Sequence, residues 1–344
     1  MRTAIGEAAF ADWGWRIPFL VSIILLGISV WIRLTMNESP AFQKMKDEGK
    51  TSKAPLTESF GERKNLKIVI LVLVGLTAGQ AVIWYTGQFC ALFFMTGALE
   101  VDNATANILI AISLVIGTPF FIVSGALSDK IGRKMIIMAG CLLGVLTYLP
   151  VFSMLTQAAN PDLAAAQAKN KVVVTADPGE CSFQFNPTGV AKFASSCNLS
   201  KQKLVASSES YENATAVPGT PATIKVGDIV ITSYSVDKIG EGDIAAAKEA
   251  ATKKVDDLKA AAKPEAEIKA ATDALAAFTK DAKAATVKSK DAVMVGAVGG
   301  ALRAAGYPTK ADPAKMNKPM IVAILVYLMI LVTMLYFPIA AMLV

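Results

Sequence analysis

The chain has 344 residues, of which 53% are hydrophobic and only 18% are charged, and its mean hydropathy is +0.47. A soluble domain is usually about a quarter charged, so this composition excludes an ordinary soluble protein. The formal net charge of +6 does not predict a nucleic-acid partner, because the basic residues lie beside apolar segments or in one long hydrophilic segment.

Five uncharged apolar runs divide the chain. They cover residues 17–32, 68–99, 103–128, 135–161 and 319–344. A transmembrane helix needs about 20 apolar residues to cross about 30 Å of hydrocarbon, and four of the runs exceed that length. The first run is shorter, but Arg16 and Arg33 at its ends can extend to the lipid surface, and Trp13, Trp15 and Trp31 suit the membrane interface. One such run alone is compatible with a buried helix of a soluble domain, but five in one chain predict five spanning helices.

The lysines and arginines between the runs predict the orientation of these helices. Segment 33–67 carries eight of them: Arg33, Lys44, Lys46, Lys50, Lys53, Arg63, Lys64 and Lys67. Hairpin 128–134 carries three more, whereas segment 97–105 has none. Because short basic loops stay in the cytoplasm, the first two segments are predicted inside and the third outside. In chain order we predict an external segment 1–16, a span 17–32, a cytoplasmic loop 33–67, a span 68–96, an external loop 97–105, a span 106–127, a cytoplasmic hairpin 128–134, a span 135–156, a periplasmic insertion 157–317 and a span 318–344.

The hairpin between the third and fourth runs reads SGALSDKIGRK. Gly125 allows close helix contact and Gly132 suits a turn with positive φ. Asp129 is placed to cap the following helix, and Arg133 and Lys134 suit the anionic cytoplasmic face of a membrane. This pattern predicts a tight, inside-facing helical hairpin.

The spacing G-x-L-S-D-x-x-G-R-K also resembles the signature hairpin of the major facilitator superfamily. Further stretches resemble its metabolite–proton symporter branch, which is related to the sugar porters: WGWRIPFLVS at 13–22, NESPAFQ at 37–43, GLTAGQAVIWYTGQFCALFF at 75–94, NKPMIVAILV at 317–326 and YFPIAAMLV at 336–344. The resemblance implies helices six to ten of that fold. It implies an all-α polytopic membrane protein, a partial major facilitator fold of five transmembrane helices, with a small α+β extracytoplasmic insertion.

The resemblance covers nearly the whole chain but only part of the family's fold. It implies a truncated or split reading frame, or a fragment from incomplete sequence, with a genuine five-helix protein as the alternative. The missing helices of the same transporter would then be partners, and we expect no transport by this chain alone. It also implies a cytoplasmic gate built from the hairpin residues Gly125, Asp129, Gly132, Arg133 and Lys134.

Polar residues in the second run recur at three- and four-residue steps. Thr77, Gln80, Trp84 and Gln88 therefore share one face of a regular helix, with Tyr85 on its flank. One interpretation is a pore face, with Gln80, Trp84, Tyr85 and Gln88 binding substrate. The other is hydrogen bonding between helices. Weaker candidates of the same kind in the fifth run are Tyr327, Thr333 and Tyr336. Two G-x-x-x-G pairs, at 75/79 and 140/144, predict packing seams, and the Gly-Thr-Pro at 117–119 predicts a kink.

The interiors of the five runs contain no Asp, Glu, Lys, Arg or His, and the chain has no histidine at all. Proton-coupled transport needs a titratable group with access to both sides of the membrane. If the chain is part of a proton symporter, its coupling residues are expected outside these five helices.

The segment 157–317 has a first part with a strand pattern and a later part with a helical pattern. KVVVTAD, CSFQF and ATIKVGDIVITSYS predict short strands. Residues 241–288 predict two helices in a hairpin interrupted at Pro264, followed by a short helix over 290–305. Cys181 and Cys197 predict a disulfide, whereas Cys90 and Cys141 lie in spans and predict apolar packing.

No spacing in the sequence predicts a metal site, a cofactor or an enzymatic nucleophile. The function that the resemblance implies is proton-coupled symport of a small polar metabolite, an organic acid or a zwitterionic osmolyte, by alternating access in a bacterial inner membrane. The expected partners are membrane lipids, the substrate and protons. The alternative is a membrane-anchored extracytoplasmic binding or structural protein.

Overall fold

The computed structural model describes residues 5–35, 40–49, 54–184, 193–261 and 263–343. Residues 37–39 of the NESPAFQ stretch, Lys50, Lys53, Phe185 and Val344 lie outside this described part, so the expectations for them remain expectations. The chain divides into two compact units, Met1–Leu73 and Val74–Val344.

The described residues of the first unit are mainly helical. Its helices are α1 (Glu7–Asp12), α2 (Ile17–Thr35), α3 (Pro40–Asp47), α4 (Pro55–Gly61) and α5 (Arg63–Val72), with a 3₁₀ turn over Gly14–Arg16. Helix α2 carries the first predicted span, and its large apolar side chains are exposed, as for Leu34 and Trp31. Arg16 stacks on the ring of Trp15 at 4.6 Å, which places a cation and an aromatic ring at the beginning of that helix.

The second unit begins inside the second span. This candidate span runs over Arg63–Ala98 and changes helical type several times: π-helix over Leu73–Thr77, α6 (Ala78–Tyr85), π-helix over Thr86–Cys90, α7 (Ala91–Phe93) and π-helix over Phe94–Ala98. The other membrane helices are α8 (Asn103–Gly117), α9 (Pro119–Ile131), α10 (Arg133–Ala159) and α16 (Lys318–Leu343). Helix α8 ends and α9 begins around Thr118, where the kink was predicted.

Helix α16 lies at the centre of the membrane part of this unit. It packs against α8, α9, α10 and the helix over 78–90, and Ile321, Leu328 and Leu331 are fully buried. Close approach is possible because small residues face it. A Cβ atom on Gly125 would lie 2.5 Å from Cε1 of Phe337, and one on Gly140 would collide with Leu335. Gly140 therefore lies in a packing seam with α16, whereas a Cβ on Gly144 would lie 3.4 Å from Cδ1 of Ile83 in the second span. The predicted seam at 75/79 is not formed by both glycines, because nothing lies within 4 Å of a Cβ on Gly75.

The segment between α10 and α16 is a small α+β domain. Its elements are α11 (Pro161–Lys169), β1 (Val172–Ala176), α12 (Ser196–Ala206), β2 (Glu212–Thr215), β3 (Thr223–Val226), β4 (Ile229–Thr232), α13 (Glu241–Ala260), α14 (Glu265–Lys280) and α15 (Ala282–Ala304). The strand order is β2-β1-β3-β4, with β1 and β2 parallel and the other pairs antiparallel. Val172, Val174 and Ala176 alternate into the core, which is the period-two pattern that predicted β1.

Two of the predictions for this domain need correction. Residues 181–184 of CSFQF form no strand. The backbone amide of Ser182 and the Gln184 side chain both donate to Oδ1 of Asn198 on α12, at 2.9 and 2.8 Å, instead of pairing with a strand. The last helix is also longer than 290–305. It begins at Ala282, because Asp281 caps it by accepting a hydrogen bond from the amide of Ala284.

The α+β domain is continuous with the ends of the membrane helices. One cluster of buried side chains runs from Met95 and Leu155 in the spans to Val174 and Ile224 in the sheet. The Asn160 side chain donates to the carbonyl of Leu99 at 3.0 Å. The backbone at 311 and 317 adds hydrogen bonds to the carbonyls at 100 and 158. The domain is therefore a packed extension of the spans rather than a tethered module.

Candidate functional site

The candidate site lies where the second span meets α16. The rings of Trp84 and Tyr336 are 4.8 Å apart and tilted by 41°. Phe121 of α9 approaches the same Tyr336 ring edge-on at 5.9 Å. Trp84 is half-buried in this contact. Three helices thus contribute to one aromatic cluster.

Gln88 contacts α16 one turn further along. Its Nε2 donates to Sδ of Met329 at 3.4 Å. The neighbouring Gly87 allows this approach, since a Cβ there would lie 3.0 Å from Val332 and 3.3 Å from the carbonyl of Leu328. Gln88 belongs to the π-helical segment Thr86–Cys90. Single π-turns inside α-helices are frequent at functional sites.

The two other predicted substrate-binding residues behave differently. Gln80 is half-buried, and its side chain has no hydrogen-bond partner among the described residues. Tyr85 is 60% exposed and contacts Phe89 of its own helix, with the ring centroids 5.4 Å apart. The structure brings Trp84 and Gln88 to α16 and leaves Tyr85 outside that contact.

The hydroxyl groups of α16 form interhelical hydrogen bonds. Thr333 pairs with Ser124 at 3.0 Å, and Tyr327 pairs with Thr147 at 2.8 Å. Tyr327 and Thr333 are weak cavity candidates by sequence, but the hydroxyls of both form hydrogen bonds between helices. Met329 and Phe121 were not singled out, because apolar residues in a span carry no signal for the partner they contact.

The hairpin 128–134 joins α9 to α10 through Gly132, which has φ of 104°. Asp129 lies 3.9 Å from the Arg133 guanidinium, and both side chains are more than 40% exposed. The expectation that Asp129 caps the following helix is wrong. Asp129 lies in the last turn of α9, and the N-cap of α10 is Gly132, which has no side chain to accept a hydrogen bond. Lys134 is exposed, and Gly125 packs against Phe337 of α16.

The predicted disulfide is present. Cys181 and Cys197 are bonded, with their Cα atoms 5.3 Å apart. Glu180 next to it accepts from Ser196 Oγ at 2.9 Å and from the Lys238 ammonium at 3.0 Å. Cys90 and Cys141 are free thiols. In the described part of the chain, no group of three or more His, Cys, Asp or Glu side chains is placed to hold a metal ion.

Comparison with known proteins identifies the membrane part. Residues 3–168 match the family described as Major Facilitator Superfamily. This part of the chain is therefore similar to that superfamily. The matched region ends within α11, so most of the α+β domain and α16 lie beyond it. No solved structure matches the chain.

Curated relatives are bacterial and are named as transporters, not enzymes. A putative metabolite transport protein of Haemophilus influenzae is 30% identical over 160 residues, covering 43% of this chain and 36% of the relative. A citrate-proton symporter of Salmonella typhi is 29% identical over 164 residues, covering 46% and 35%. A proline/betaine transporter of Escherichia coli is 30% identical over 161 residues, covering 44% and 31%. The chain spans about a third of the length of these relatives.

The family and the five apolar helices together describe a multi-pass membrane protein with a partial major facilitator fold and a small four-stranded insertion.

Proposed function

We propose that this chain is part of a secondary transporter that carries a small polar metabolite by alternating access, coupled to protons. The match of residues 3–168 to the Major Facilitator Superfamily model carries this proposal. Relatives named as a citrate-proton symporter and as proline/betaine transporters favour an organic acid or a zwitterion as the substrate.

Gln80 and Gln88 are the proposed hydrogen-bonding groups for the substrate. An unpaired amide in an apolar environment is costly, so half-buried Gln80 gains from a polar ligand. Gln88 now donates to a thioether sulfur, which is a weak acceptor, and exchange for a carboxylate oxygen would cost little. Trp84, stacked on Tyr336, forms an aromatic wall, and Tyr85 is proposed to shape the entrance.

The hairpin residues are proposed to open and close the cytoplasmic side. The exposed Asp129–Arg133 pair contributes only about 0–1 kcal/mol, so it can break and re-form during transport. The contact of Gly125 with Phe337 links the hairpin to α16, which also carries Tyr336 and Met329. A movement of α16 would therefore change the contacts of both the hairpin and the polar residues of the second span.

The proposal is tested in the source organism with chromosomal substitutions. Uptake of radiolabelled citrate and glycine betaine is measured for Gln80→Leu and Gln88→Leu. We expect at least one substrate to be taken up in a protonophore-sensitive way, with a loss of about tenfold or more in each variant, because a hydrogen bond to a charged group contributes about 1.5–3 kcal/mol.

Thr96→Val is the matched control. Thr96 lies in the same span, and its hydroxyl bonds only the carbonyl of Leu92 in its own helix at 3.0 Å. Uptake should therefore be retained. Unchanged uptake of both compounds in the two glutamine variants contradicts the proposed site, and unchanged uptake of both on deletion of the gene contradicts the proposed substrate class.

A further inference from the structure

A cavity of about 490 Å³ lies where the α+β domain packs on the outer ends of the second and fourth spans. Its walls come from residues 94–99, residues 152–157, helix α11 and the turn at 208–210. We call it the seam cavity. Its volume falls in the range of roughly 300–1,000 Å³ that is usual for small-molecule sites.

Two phenylalanines line the seam cavity on the side of the membrane. The rings of Phe94 and Phe152 meet edge to face, 5.1 Å apart at 73°. The ring of Tyr148 also meets Phe152 edge to face, with the centroids 6.5 Å apart. The cavity therefore has a preformed aromatic wall against which the apolar face of a ligand can pack.

Five neutral polar side chains line the same space without a hydrogen-bond partner in the described part of the chain. They are Ser153, Gln157, Gln167, Ser208 and Ser210. The hydroxyl of Thr156, by contrast, is occupied, because it donates to the carbonyl of Phe152 at 3.0 Å. Two amides and three hydroxyls thus offer both donors and acceptors to one ligand.

None of the residues that line the seam cavity carries a charge. A charged ligand would gain no counter-charge from these lining side chains. A neutral ligand with several hydroxyl groups matches both the amides and hydroxyls on one side and the aromatic wall on the other. We propose that the seam cavity binds a neutral polyhydroxylated molecule of the sugar or polyol class.

This site is separate from the proposed transport residues and gives the α+β domain a binding role of its own. Gln167, Ser208 and Ser210 belong to that domain, whereas Ser153 and Gln157 belong to α10. A bound ligand would bridge the two parts, so its binding should also stabilise the packing of the domain on the spans.

The experiment uses the full chain purified in a zwitterionic detergent without a sugar headgroup, because a maltoside would compete for the site. D-glucose, myo-inositol and trehalose are the neutral probes, and citrate and glycine betaine are the charged ones. Thermal unfolding and calorimetric titration are recorded with each probe. We expect at least one neutral probe to raise the unfolding temperature and both charged probes to leave the cavity empty.

The variant Gln157→Ala/Gln167→Ala removes both cavity amides and should weaken the binding of the neutral probe at least about tenfold. Gln202→Ala is the matched control, because Gln202 is exposed on α12 outside the cavity, and it should bind as the wild type does. Unfolding temperatures without ligand show whether each variant is folded. If Gln157→Ala/Gln167→Ala is not folded, Ser153→Ala/Ser210→Ala is used in its place, and the same loss in binding of the neutral probe is expected.

Three results would overturn the proposal: no shift with any neutral probe, equal binding by a folded cavity variant, or a charged probe whose binding is lost in that variant. The transport proposal does not depend on these results. Its substrates are the charged probes, and its variants are Gln80→Leu and Gln88→Leu, which should leave the binding of neutral probes unchanged.

Discussion

The indole of Trp84 and the phenol ring of Tyr336 lie 4.8 Å apart, although 252 positions of the chain separate them. The contact joins the second span to α16, although helices α8, α9 and α10 and the α+β domain lie between them in the sequence. Met329, on the same helix as Tyr336, accepts the hydrogen bond of Gln88. Helix α16 therefore positions the two polar residues of the second span that the structure brings to it.

The Trp84–Tyr336 contact should contribute measurably to stability. Aromatic pairs contribute about 0.5–1.5 kcal/mol beyond the area they bury. A double-mutant cycle with Trp84→Leu and Tyr336→Leu, followed by chemical unfolding in micelles, should give a coupling free energy of about 1 kcal/mol. A coupling below about 0.3 kcal/mol would show that the rings are neighbours without energetic interaction.

Gly125 should tolerate no side chain. The Cβ of Gly125→Ala would lie 2.5 Å from Cε1 of Phe337, so the ring or the helix must move. We expect a loss of about 1–3 kcal/mol in the free energy of unfolding. Adding Phe337→Leu should restore part of it.

The control for this variant is Gly296→Ala in α15, where nothing lies within 4 Å of the new methyl group. There the substitution should stabilise the helix by about 0.5–1 kcal/mol. Equal changes in the free energy of unfolding for Gly125→Ala and Gly296→Ala would contradict the packing described for α16.

Glu209 should make stability depend on pH. Burial, with a smaller contribution from the nearby negative charge of Glu100, raises the pKa of the Glu209 carboxyl above its ordinary value of 4.5. The folded state therefore binds this proton more tightly than the unfolded state. The stabilisation is complete below the unfolded-state pKa and is lost as the pH rises through the raised pKa.

The measurement is the difference in unfolding free energy between wild type and Glu209→Gln from pH 4 to pH 8. The unfolding free energy of Glu209→Gln should rise relative to that of the wild type as the pH rises, because the amide of the variant never becomes charged. Glu249→Gln, an exposed carboxyl on α13, removes the same charge and should follow the wild-type profile. Parallel curves of unfolding free energy against pH for wild type and Glu209→Gln would contradict a raised pKa of Glu209.

The disulfide offers a test of the predicted orientation. Disulfides persist in oxidising compartments such as the periplasm. In a background with Cys90→Ala and Cys141→Ala, a membrane-impermeant reductant applied to spheroplasts should make Cys181 and Cys197 reactive to an impermeant maleimide. A cysteine introduced as Lys130→Cys in the hairpin should react only after permeabilisation. The opposite labelling pattern would show that the chain crosses the membrane in the orientation opposite to the predicted one.

The polar face of the second span was predictable only in part. The spacing of Gln80, Trp84 and Gln88 follows from a regular helical period. The π-helical segment over Thr86–Cys90 changes that period, and the sequence analysis did not predict it. The partners of these residues lie more than 240 positions away, so local periodicity contains no information about them.

The amino-acid sequence by itself determined the five apolar helices, the turn at Gly132, the short strands β1, β3 and β4, and the helix pair interrupted at Pro264. These features depend on local properties: the length of an apolar run, backbone conformations with positive φ, and residues that end helices. Tertiary structure alone decided that α16 is central, that Asp129 pairs instead of capping, and that Asn198 holds residues 181–184. In hydrocarbon an apolar side chain is equally suited to lipid and to a neighbouring helix, so composition cannot distinguish a lipid-facing span from a buried one.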